Sequence, residues 1–273
     1  MIPAGRGFYK MSGSGNDFVF VDARAEGRGR LDQPEVVQSI CARGTGVGAD
    51  GIVFLEDSDR ADVRLTYLNA DGSRADFCGN ATLCTTRLAT ELGMGGGQEG
   101  LRIETDSGIV SARIRGGTPQ IDLQPVTEVS ADADIELTAG ERRMGFALVG
   151  VPHLVILCDD VSTVDVVARG RPLRSHPSLP NGANVNFVSP GSGRQWRYRT
   201  YERGVEAETL ACGSGAVATG VLLSAWGLAT PPVEIQTRSG KLVVVDFRRS
   251  GESWSPSLAG EGRVVYRGEL SEI

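Results

Sequence analysis

Short apolar runs separated by polar, glycine-rich segments dominate the hydrophobic pattern of this chain. Residues 63–68, Val-Arg-Leu-Thr-Tyr-Leu, alternate apolar and polar positions as a half-buried strand does. The same criteria predict strands or hairpins at residues 18–22, 52–55, 63–68, 101–114, 154–157, 197–201 and 233–247. The intervening segments predict a polar loop at 11–17, a glycine-rich loop at 44–51, a hairpin-type turn at 69–72, a helix end at 93–100 and a linker at 116–119.

Three segments have the pattern of helices. Residues 33–43 contain a proline in the first turn and an apolar stripe behind it. Two alanine-rich apolar runs follow Cys78-Gly-Asn and Cys212-Gly-Ser, so each predicted helix begins directly after a cysteine. Glycine-rich residues 44–51 resemble a dinucleotide fingerprint, but a helix precedes them and a strand follows. That order is the reverse of the nucleotide-binding arrangement and argues against it.

The two halves of the chain repeat the same order of features. Asp17 and His153 each stand before an apolar strand, Cys78 and Cys212 each precede a helix, and Ser-Gly pairs at 107 and 239 each lie in a hairpin. The separations are 136, 134 and 132 residues. A nearly constant long period predicts an internally duplicated architecture. A pseudo-two-fold arrangement of the two halves would bring the two cysteines face to face.

Composition limits the classes of function. With 273 residues the chain is long enough for two domains, and its net charge of −6 offers no basic surface for nucleic acid or anionic lipid. Without an 18-residue apolar stretch or a signal sequence, we expect a cytoplasmic protein that does not enter membranes. Five widely spaced cysteines and two histidines predict free thiols, without a disulfide framework or a bound metal.

Cys78 and Cys212 are the main candidates for chemistry. A thiol at a helix N-terminus faces unpaired N–H groups and the positive end of the helix dipole, which favours its thiolate. The same N–H groups can hold a carboxylate or a developing enolate. Two such thiols suit the racemisation of an amino acid, in which a thiolate removes the α-proton and a thiol delivers one to the opposite face. Cys41, Cys84 and Cys158 are interpreted as buried apolar residues.

Several polar residues near these features have two interpretations each. His153 is either a structural histidine or a residue that tunes a cysteine. Glu202 and Arg203 form either a surface ion pair or part of a ligand site. Asn16, Asn69 and Asn184 are either turn formers or substrate contacts.

Motifs that match those of one known protein family extend over nearly the whole chain. They are Gly15-Asn-Asp-Phe18, Gly46-Val-Gly-Ala-Asp50, Asn69-Ala-Asp-Gly-Ser73, Cys78-Gly-Asn80, Pro152-His153, Asn184-Val185 and the run from Tyr201 to Gly215 that contains Cys212. With these motifs the chain resembles the diaminopimelate epimerase family, whose members interconvert LL- and meso-diaminopimelate without pyridoxal phosphate. The resemblance implies an α/β (α+β) fold of two pseudo-symmetric domains, each a curved, mostly antiparallel sheet around a central helix. It also implies a homodimer, no cofactor and an amino acid as substrate.

The resemblance further implies domain bounds and site roles. Residues 1–117 with 263–273 would form the first domain, because the last strand returns to it, and residues 118–262 the second. Cys78 and Cys212 would be the acid–base pair, and His153 and Glu202 would tune the thiols. The implied substrate-binding residues are Asn16, Asn69, Gly79, Asn80, Asn184, Glu202, Arg203, Gly213 and Ser214.

Two positions depart from the family pattern. Val151 stands where the family commonly has asparagine, and Ala81-Thr-Leu83 replaces the usual Gly-Ala-Arg. Since valine cannot hydrogen-bond the far end of a substrate, a cofactor-independent racemase of another amino acid, such as histidine, is an alternative. A thiol–disulfide redox protein is an alternative of another class, and a module that binds an amino acid without exchanging its α-hydrogen is a third.

Overall fold

The computed structural model describes residues 5–95 and 100–271. Part of the predicted helix end at 93–100 therefore lies outside the described residues. The chain divides into two compact units, one running to Ile121 and resuming at Gly260, the other formed by Asp122–Ala259.

The first unit is a mixed, mainly antiparallel sheet with two helices. Its strands are β1 (Arg6–Gly13), β2 (Asn16–Asp22), β3 (Gly51–Glu56), β4 (Val63–Asn69), β5 (Arg74–Ala75), β6 (Leu101–Thr105), β7 (Gly108–Arg115) and β8 (Thr118–Asp122). The helices are α1 (Pro34–Cys41) and α2 (Gly79–Glu91).

The second unit contains the corresponding elements. Its strands are β9 (Val129–Ser130), β10 (Glu141–Val149), β11 (Val151–Cys158), β12 (Asn184–Pro190), β13 (Trp196–Glu202), β14 (Ala207–Thr209), β15 (Val233–Gln236), β16 (Leu242–Ser250) and β17 (Ser253–Ala259). Its helices are α3 (Val166–Arg174) and α4 (Gly213–Ala225). The last strand of the chain, β18 (Arg263–Leu270), returns to the first unit and pairs with β1.

Strand pairing is the same in both units. β2 runs parallel to β3 and β4 parallel to β6, just as β11 runs parallel to β12 and β13 parallel to β15. The other strand pairs within each unit are antiparallel. The pairing of β18 with β1 in the first unit corresponds to the pairing of β9 with β10 in the second. The predicted duplication and the predicted α/β (α+β) class are confirmed.

The helices α2 and α4 are buried on almost all sides. α4 is apolar around its circumference, as a helix inside a core must be. α2 buries three threonines, Thr82, Thr85 and Thr86, and two of them donate their hydroxyls to the carbonyl four residues earlier, at 2.9 Å and 2.8 Å. These local bonds allow polar side chains to lie inside the unit.

Outer helices cover a second apolar layer in each unit. Val37 and Ile40 of α1 pack in a cluster with Val19, Ile52 and Phe54. In the second unit, α3 contributes to an equivalent cluster. In the described part of the chain, no helix is both long and apolar enough to span a membrane.

Three local predictions need correction. The linker at 116–119 is wrong, because Arg115 pairs with Thr118 and residues 116–117 are the turn between β7 and β8. The polar loop at 11–17 is wrong in part, since residues 11–13 end β1 and β2 begins at Asn16. His153 lies inside β11 and not before it. In each case, hydrogen bonding to a neighbouring strand extends strand structure into a segment whose own sequence does not alternate apolar and polar residues.

The central helix α2 lies so close to β1 that the strand has no room for a side chain at Gly13. A Cβ on Gly13 would lie 2.8 Å from the carbonyl oxygen of Asn80 and 3.0 Å from the Sγ of Cys84. Both distances are shorter than normal contacts. Glycine at this point therefore lets the first turn of α2 lie against the sheet.

Replacing Gly13 with alanine will destabilise the first unit, because the helix backbone must move away from β1. We expect a loss of about 1–3 kcal/mol in the free energy of unfolding, typical of an overpacked site. Gly7→Ala is the matched control, since a Cβ on Gly7 in the same strand has no atom within 4 Å. Urea unfolding followed by circular dichroism measures both variants, and equal midpoints for the two would contradict this packing argument.

Candidate functional site

The two predicted cysteines are the N-caps of the two central helices. Cys78 precedes α2 with φ −141° and ψ 113°, and Cys212 precedes α4 with φ −130° and ψ 113°. Each cysteine carbonyl accepts the first helical N–H, from Thr82 and from Ala216, both at 2.9 Å. The N–H groups before these have no carbonyl partner within their helix. Both helices therefore present backbone donors beside a thiol, as predicted.

The environment of Cys212 opposes its ionisation. Burial raises the pKa of this thiol well above its usual range, and the carboxylate of Glu202 raises it further. Hydrogen bonds from Ser214 and from the Gly215 amide act in the opposite direction but are weaker. The helix N-terminus favours the thiolate, as expected, but for Cys212 burial outweighs this effect. Cys212 rests as a thiol.

A chain of polar contacts leads from the interior of the second unit to this thiol. His153 is fully buried, and its Nε2 lies 3.0 Å from the Oγ of Ser214. That hydroxyl in turn lies 3.6 Å from the Sγ of Cys212. His153 Nδ1 lies 3.2 Å from the amide nitrogen of Asn186. The structure therefore brings His153, Ser214 and Cys212 together.

Glu202, Arg203 and Asn184 meet at the end of β13. Glu202 accepts a hydrogen bond from Thr209 and contacts the Cys212 thiol. Asn184 Oδ1 accepts the backbone N–H of Arg203 at 2.8 Å. The Arg203 guanidinium donates to the carbonyl of residue 181 at 2.6 Å. The interpretation of Glu202 and Arg203 as a mutual surface ion pair finds no support among these contacts.

Asn16 and Asn80 meet in the first unit. Asn80 Nδ2 donates to Asn16 Oδ1 at 2.5 Å, and Asn16 Nδ2 donates to Asp50 Oδ2 at 3.0 Å. Among the described residues, Asn80 Oδ1 is one of two buried side-chain atoms with no hydrogen-bond partner. A bound molecule with an N–H group would satisfy it. Asn69 is held separately, in the turn after β4, by a 3.0 Å bond to Ser73.

Ion pairs and charge-assisted hydrogen bonds hold the segment next to Asn16. Burial alone would raise the pKa of Asp17, but hydrogen bonds from Arg43 and Lys10 outweigh burial and lower it. Arg43 also contacts Asp50 at 2.8 Å. Asp17 is therefore a carboxylate paired with two cations. The pairing registers match His153 with Phe18 and not with Asp17 as expected, since Phe18 pairs with Gly51 and His153 pairs with Asn184 at the start of the corresponding parallel strands.

Sequence reasoning overlooked Asp50 and Asn186. Asp50 lies in the glycine-rich loop and in the family motif Gly46–Asp50, but it is absent from the predicted site residues, although it orients Asn16. Asn186 is completely buried between Val185 and Phe187 in β12. The available signal was a polar residue within a strand whose neighbours are all apolar, where an unpartnered amide would be costly. Among residues 5–95 and 100–271, no group of three or more His, Cys, Asp or Glu side chains is arranged to hold a metal ion.

The fold defines a structural class. A crystal structure of a phenazine biosynthesis protein of the PhzF family from Bacillus anthracis superposes with a TM-score of 0.72 at 18% identity, covering 98% of this chain and 99% of that chain. A hydroxyproline epimerase from Agrobacterium vitis, with bound trans-4-hydroxy-L-proline, gives 0.67 at 18% identity and covers 97% and 92%. At these identities the similarity establishes a common two-unit α/β fold.

Sequence comparison identifies the family within that class. The family model for diaminopimelate epimerase matches residues 8–128 and 145–263. Diaminopimelate epimerase from Gemmatimonas aurantiaca is 51% identical over 97% of this chain and 99% of that protein. The enzyme of the same name from Aquifex aeolicus is 40% identical over 97% and 98%. This chain belongs to the diaminopimelate epimerase family and is an isomerase.

His153 is predicted to stay neutral across the physiological pH range, because burial, with a smaller effect of the Arg203 charge, lowers its pKa from 6.5 to about 3. The unfolded chain takes up a proton at this residue below about pH 6.5, whereas the folded chain does not. The contribution of His153 to stability is therefore complete above pH 6.5. It falls by about 1.4 kcal/mol per pH unit as the pH decreases toward 3.

NMR titration of the ring signals measures this directly. His176→Gln removes the other of the two histidines and leaves His153 as the single source of imidazole signals. We expect no titration of these signals between pH 8 and pH 5. A midpoint between about pH 6 and pH 7, near the ordinary histidine value, would contradict the assignment.

Proposed function

We propose that this protein interconverts LL- and meso-2,6-diaminopimelate by a cofactor-independent, two-base mechanism. Cys78 and Cys212 act as base and acid on opposite faces of the same α-carbon. One observation carries the proposal: two cysteines cap the N-termini of the equivalent buried helices in a duplicated fold. The high identity to proteins named diaminopimelate epimerase supports this choice of substrate.

Proton transfer needs one thiol and one thiolate at the start of each turnover. Cys212 suits the thiol role in the resting state because burial and Glu202 disfavour its ionisation. We assign the initial thiolate to Cys78, so that Cys78 removes the α-proton and Cys212 delivers its proton to the other face. In the reverse direction the roles exchange. While Cys212 is a thiol, its proton interacts with Glu202. When Cys212 is a thiolate, Ser214 stabilises the anionic sulfur.

The carbanion formed at the α-carbon is the difficult intermediate without an electron-withdrawing cofactor. Negative charge developing on the substrate carboxylate is stabilised by the backbone N–H groups that begin α2 and α4, at Gly79, Asn80, Gly213 and Ser214. The donors are fixed by the helices before the reaction begins. Their stabilisation therefore requires little reorganisation during proton transfer.

The remaining polar residues are proposed to bind the ends of the amino acid. Arg203 offers a guanidinium suited to a carboxylate. Asn80 has a free acceptor for a substrate ammonium. Asn16, Asn69, Asn184 and Glu202 complete the set. Val151 is half-buried in β11 and adds no hydrogen bond of its own side chain, so the far end of the substrate depends on the other residues. We further propose, from the family resemblance, that the enzyme is a cytoplasmic homodimer.

Cys78→Ala and Cys212→Ala will each abolish epimerisation, because each removes the proton carrier for one face of the α-carbon. Incubation with LL-diaminopimelate in D₂O, followed by NMR, reports loss of the α-proton signal and appearance of the meso isomer. We expect rates at least about 10³-fold below the wild type in both variants, in line with the loss of a general acid or base.

Cys158→Ala is the control, since Cys158 is buried in the apolar cluster beside α3 and has no proposed role. It should keep activity within a few-fold. Free thiols are titrated before and after turnover. Consumption of thiols in step with substrate would contradict the epimerase mechanism and favour the thiol–disulfide alternative.

The same D₂O assay tests the substrate. We expect α-hydrogen exchange with LL- and meso-diaminopimelate, and about a hundredfold less with L-histidine, L-proline or trans-4-hydroxy-L-proline, which lack the second amino acid end. Preferential exchange of histidine would show that Val151 marks a changed specificity. Absence of exchange with every amino acid would refute the proposed function.

A further inference from the structure

The fully buried side chain of Asn186 has every hydrogen-bonding group occupied. Its Oδ1 accepts from Tyr198 Oη at 2.8 Å and from Thr200 Oγ1 at 2.9 Å. Its Nδ2 donates one hydrogen to the carbonyl of Leu154 at 2.9 Å, and its second hydrogen is near Nδ1 of His153 at 3.2 Å and the carbonyl of Asn184 at 3.4 Å, of which the imidazole nitrogen is the nearer. Reversing the amide would place two oxygens against each other at Leu154. The orientation of the amide is therefore fixed by its neighbours.

This orientation determines which nitrogen of His153 carries the proton. An amide nitrogen can only donate, so Nδ1 must be the acceptor and must be unprotonated. The proton of the neutral ring is therefore on Nε2, 3.0 Å from Ser214 Oγ. The ring donates to the serine oxygen through this proton.

The direction of the next hydrogen bond follows. Because Ser214 Oγ accepts from His153, its own hydrogen is free to point to the Sγ of Cys212, 3.6 Å away. A donor on sulfur stabilises the thiolate that Cys212 becomes after it gives up its proton. Asn186 thus acts on the reacting sulfur through two intermediate side chains.

We propose that Asn186 is a positioning residue for the reaction: it holds His153 in the Nε2–H form so that the Ser214 hydroxyl donates to Cys212. Three charged or titratable groups act on the series of hydrogen bonds from Asn186 to Cys212. Glu202 lies beside Cys212, the charge of Arg203 acts on His153, and Tyr198 contacts Asn186. The kinetic part of this inference rests on the proposed function, whereas the tautomer part does not.

The packing of α4 supports a dedicated place for this amide. A Cβ on Gly215 would collide with Asn186 Oδ1 and with Tyr198 Oη. Glycine at the third position of α4 therefore makes room for the amide directly behind the helix terminus that carries Cys212. The amide occupies space that a larger helix residue would otherwise fill.

The spectroscopic test uses ¹⁵N-histidine labelling in the His176→Gln background, with no substrate present. We expect an unprotonated Nδ1 and a protonated Nε2 for His153 at pH 7. In Asn186→Asp, which has the same size and still accepts from Tyr198 and Thr200, an oxygen replaces Nδ2 and faces both the Leu154 carbonyl and Nδ1. A proton on Nδ1 is then the donor this oxygen lacks, so Nδ1 should become protonated. An Nδ1–H tautomer in the parent protein would overturn the proposal, as would an unprotonated Nδ1 in Asn186→Asp.

The kinetic test uses Asn186→Leu, which removes the donor to His153, and Thr200→Val as the control. Thr200 is equally buried, and its substitution removes one bond to Asn186 but leaves Nδ2 on the imidazole. For Asn186→Leu we expect kcat to fall about 10–100-fold with KM changed less than about threefold. In the direction of reaction in which Cys212 is the base, the acidic limb of the kcat/KM profile should move up by about one pH unit, because the Cys212 thiolate loses a donor. Thr200→Val should keep the wild-type profile.

Equal losses in the two variants would reduce Asn186 to a packing role and overturn the proposal. A folded Asn186→Leu protein with wild-type kcat and pH profile would do the same. If Asn186→Leu does not fold, the Asn186→Asp tautomer measurement still decides. If the wild-type protein exchanges no α-hydrogen, the proposed function fails, and the tautomer result remains valid by itself.

Discussion

The start of a helix inside a packed core is the constraint on which the rest of this structure depends. Helices α2 and α4 begin against the sheet of each unit, and their first backbone N–H groups have no carbonyl partner within the helix. Serine or aspartate would cap such a helix with a side-chain oxygen, whereas Cys78 and Cys212 offer only a sulfur, a much weaker acceptor. A thiol therefore lies next to the backbone donors at each helix start. Such a pair has the groups needed to stabilise negative charge beside a proton carrier, which is the basis of the proposed function.

Close approach between helix and sheet is what makes this arrangement possible. Gly13 lets the first turn of α2 lie on β1, and Gly215 lets the first turn of α4 lie on the amide of Asn186. Both glycines are required for space and neither has a positive φ. The same closeness removes water from Cys212, which raises its pKa, and from His153, which lowers its pKa to about 3. Burial thus favours the neutral form of both groups.

The two units have the same topology but surround their cysteines with different chemistry. In the first unit, Asp17 is paired with Lys10 and Arg43, and the neighbouring Asn16 is oriented by Asp50. In the corresponding strand, the second unit has the buried, neutral His153, linked to Ser214, where the first unit has the apolar Phe18. A duplicated scaffold therefore supplies two similar helix termini, while the strand residues behind them have diverged. That divergence is what a reaction with one thiol and one thiolate requires.

The sequence by itself determined the duplication and the cysteines at the helix starts, because periodicity and apolar runs are local signals that burial selects directly. The fold class came from the resemblance of its motifs to a known family. The sequence also singled out His153, Glu202 and Arg203 as candidates. Only the tertiary structure decided what these residues contact. The hydrogen bonds of Asn186 join three strands, and the resting protonation of Cys212 depends on burial by segments distant in sequence. Such properties arise from desolvation and long-range contacts, and no local pattern along the chain encodes them.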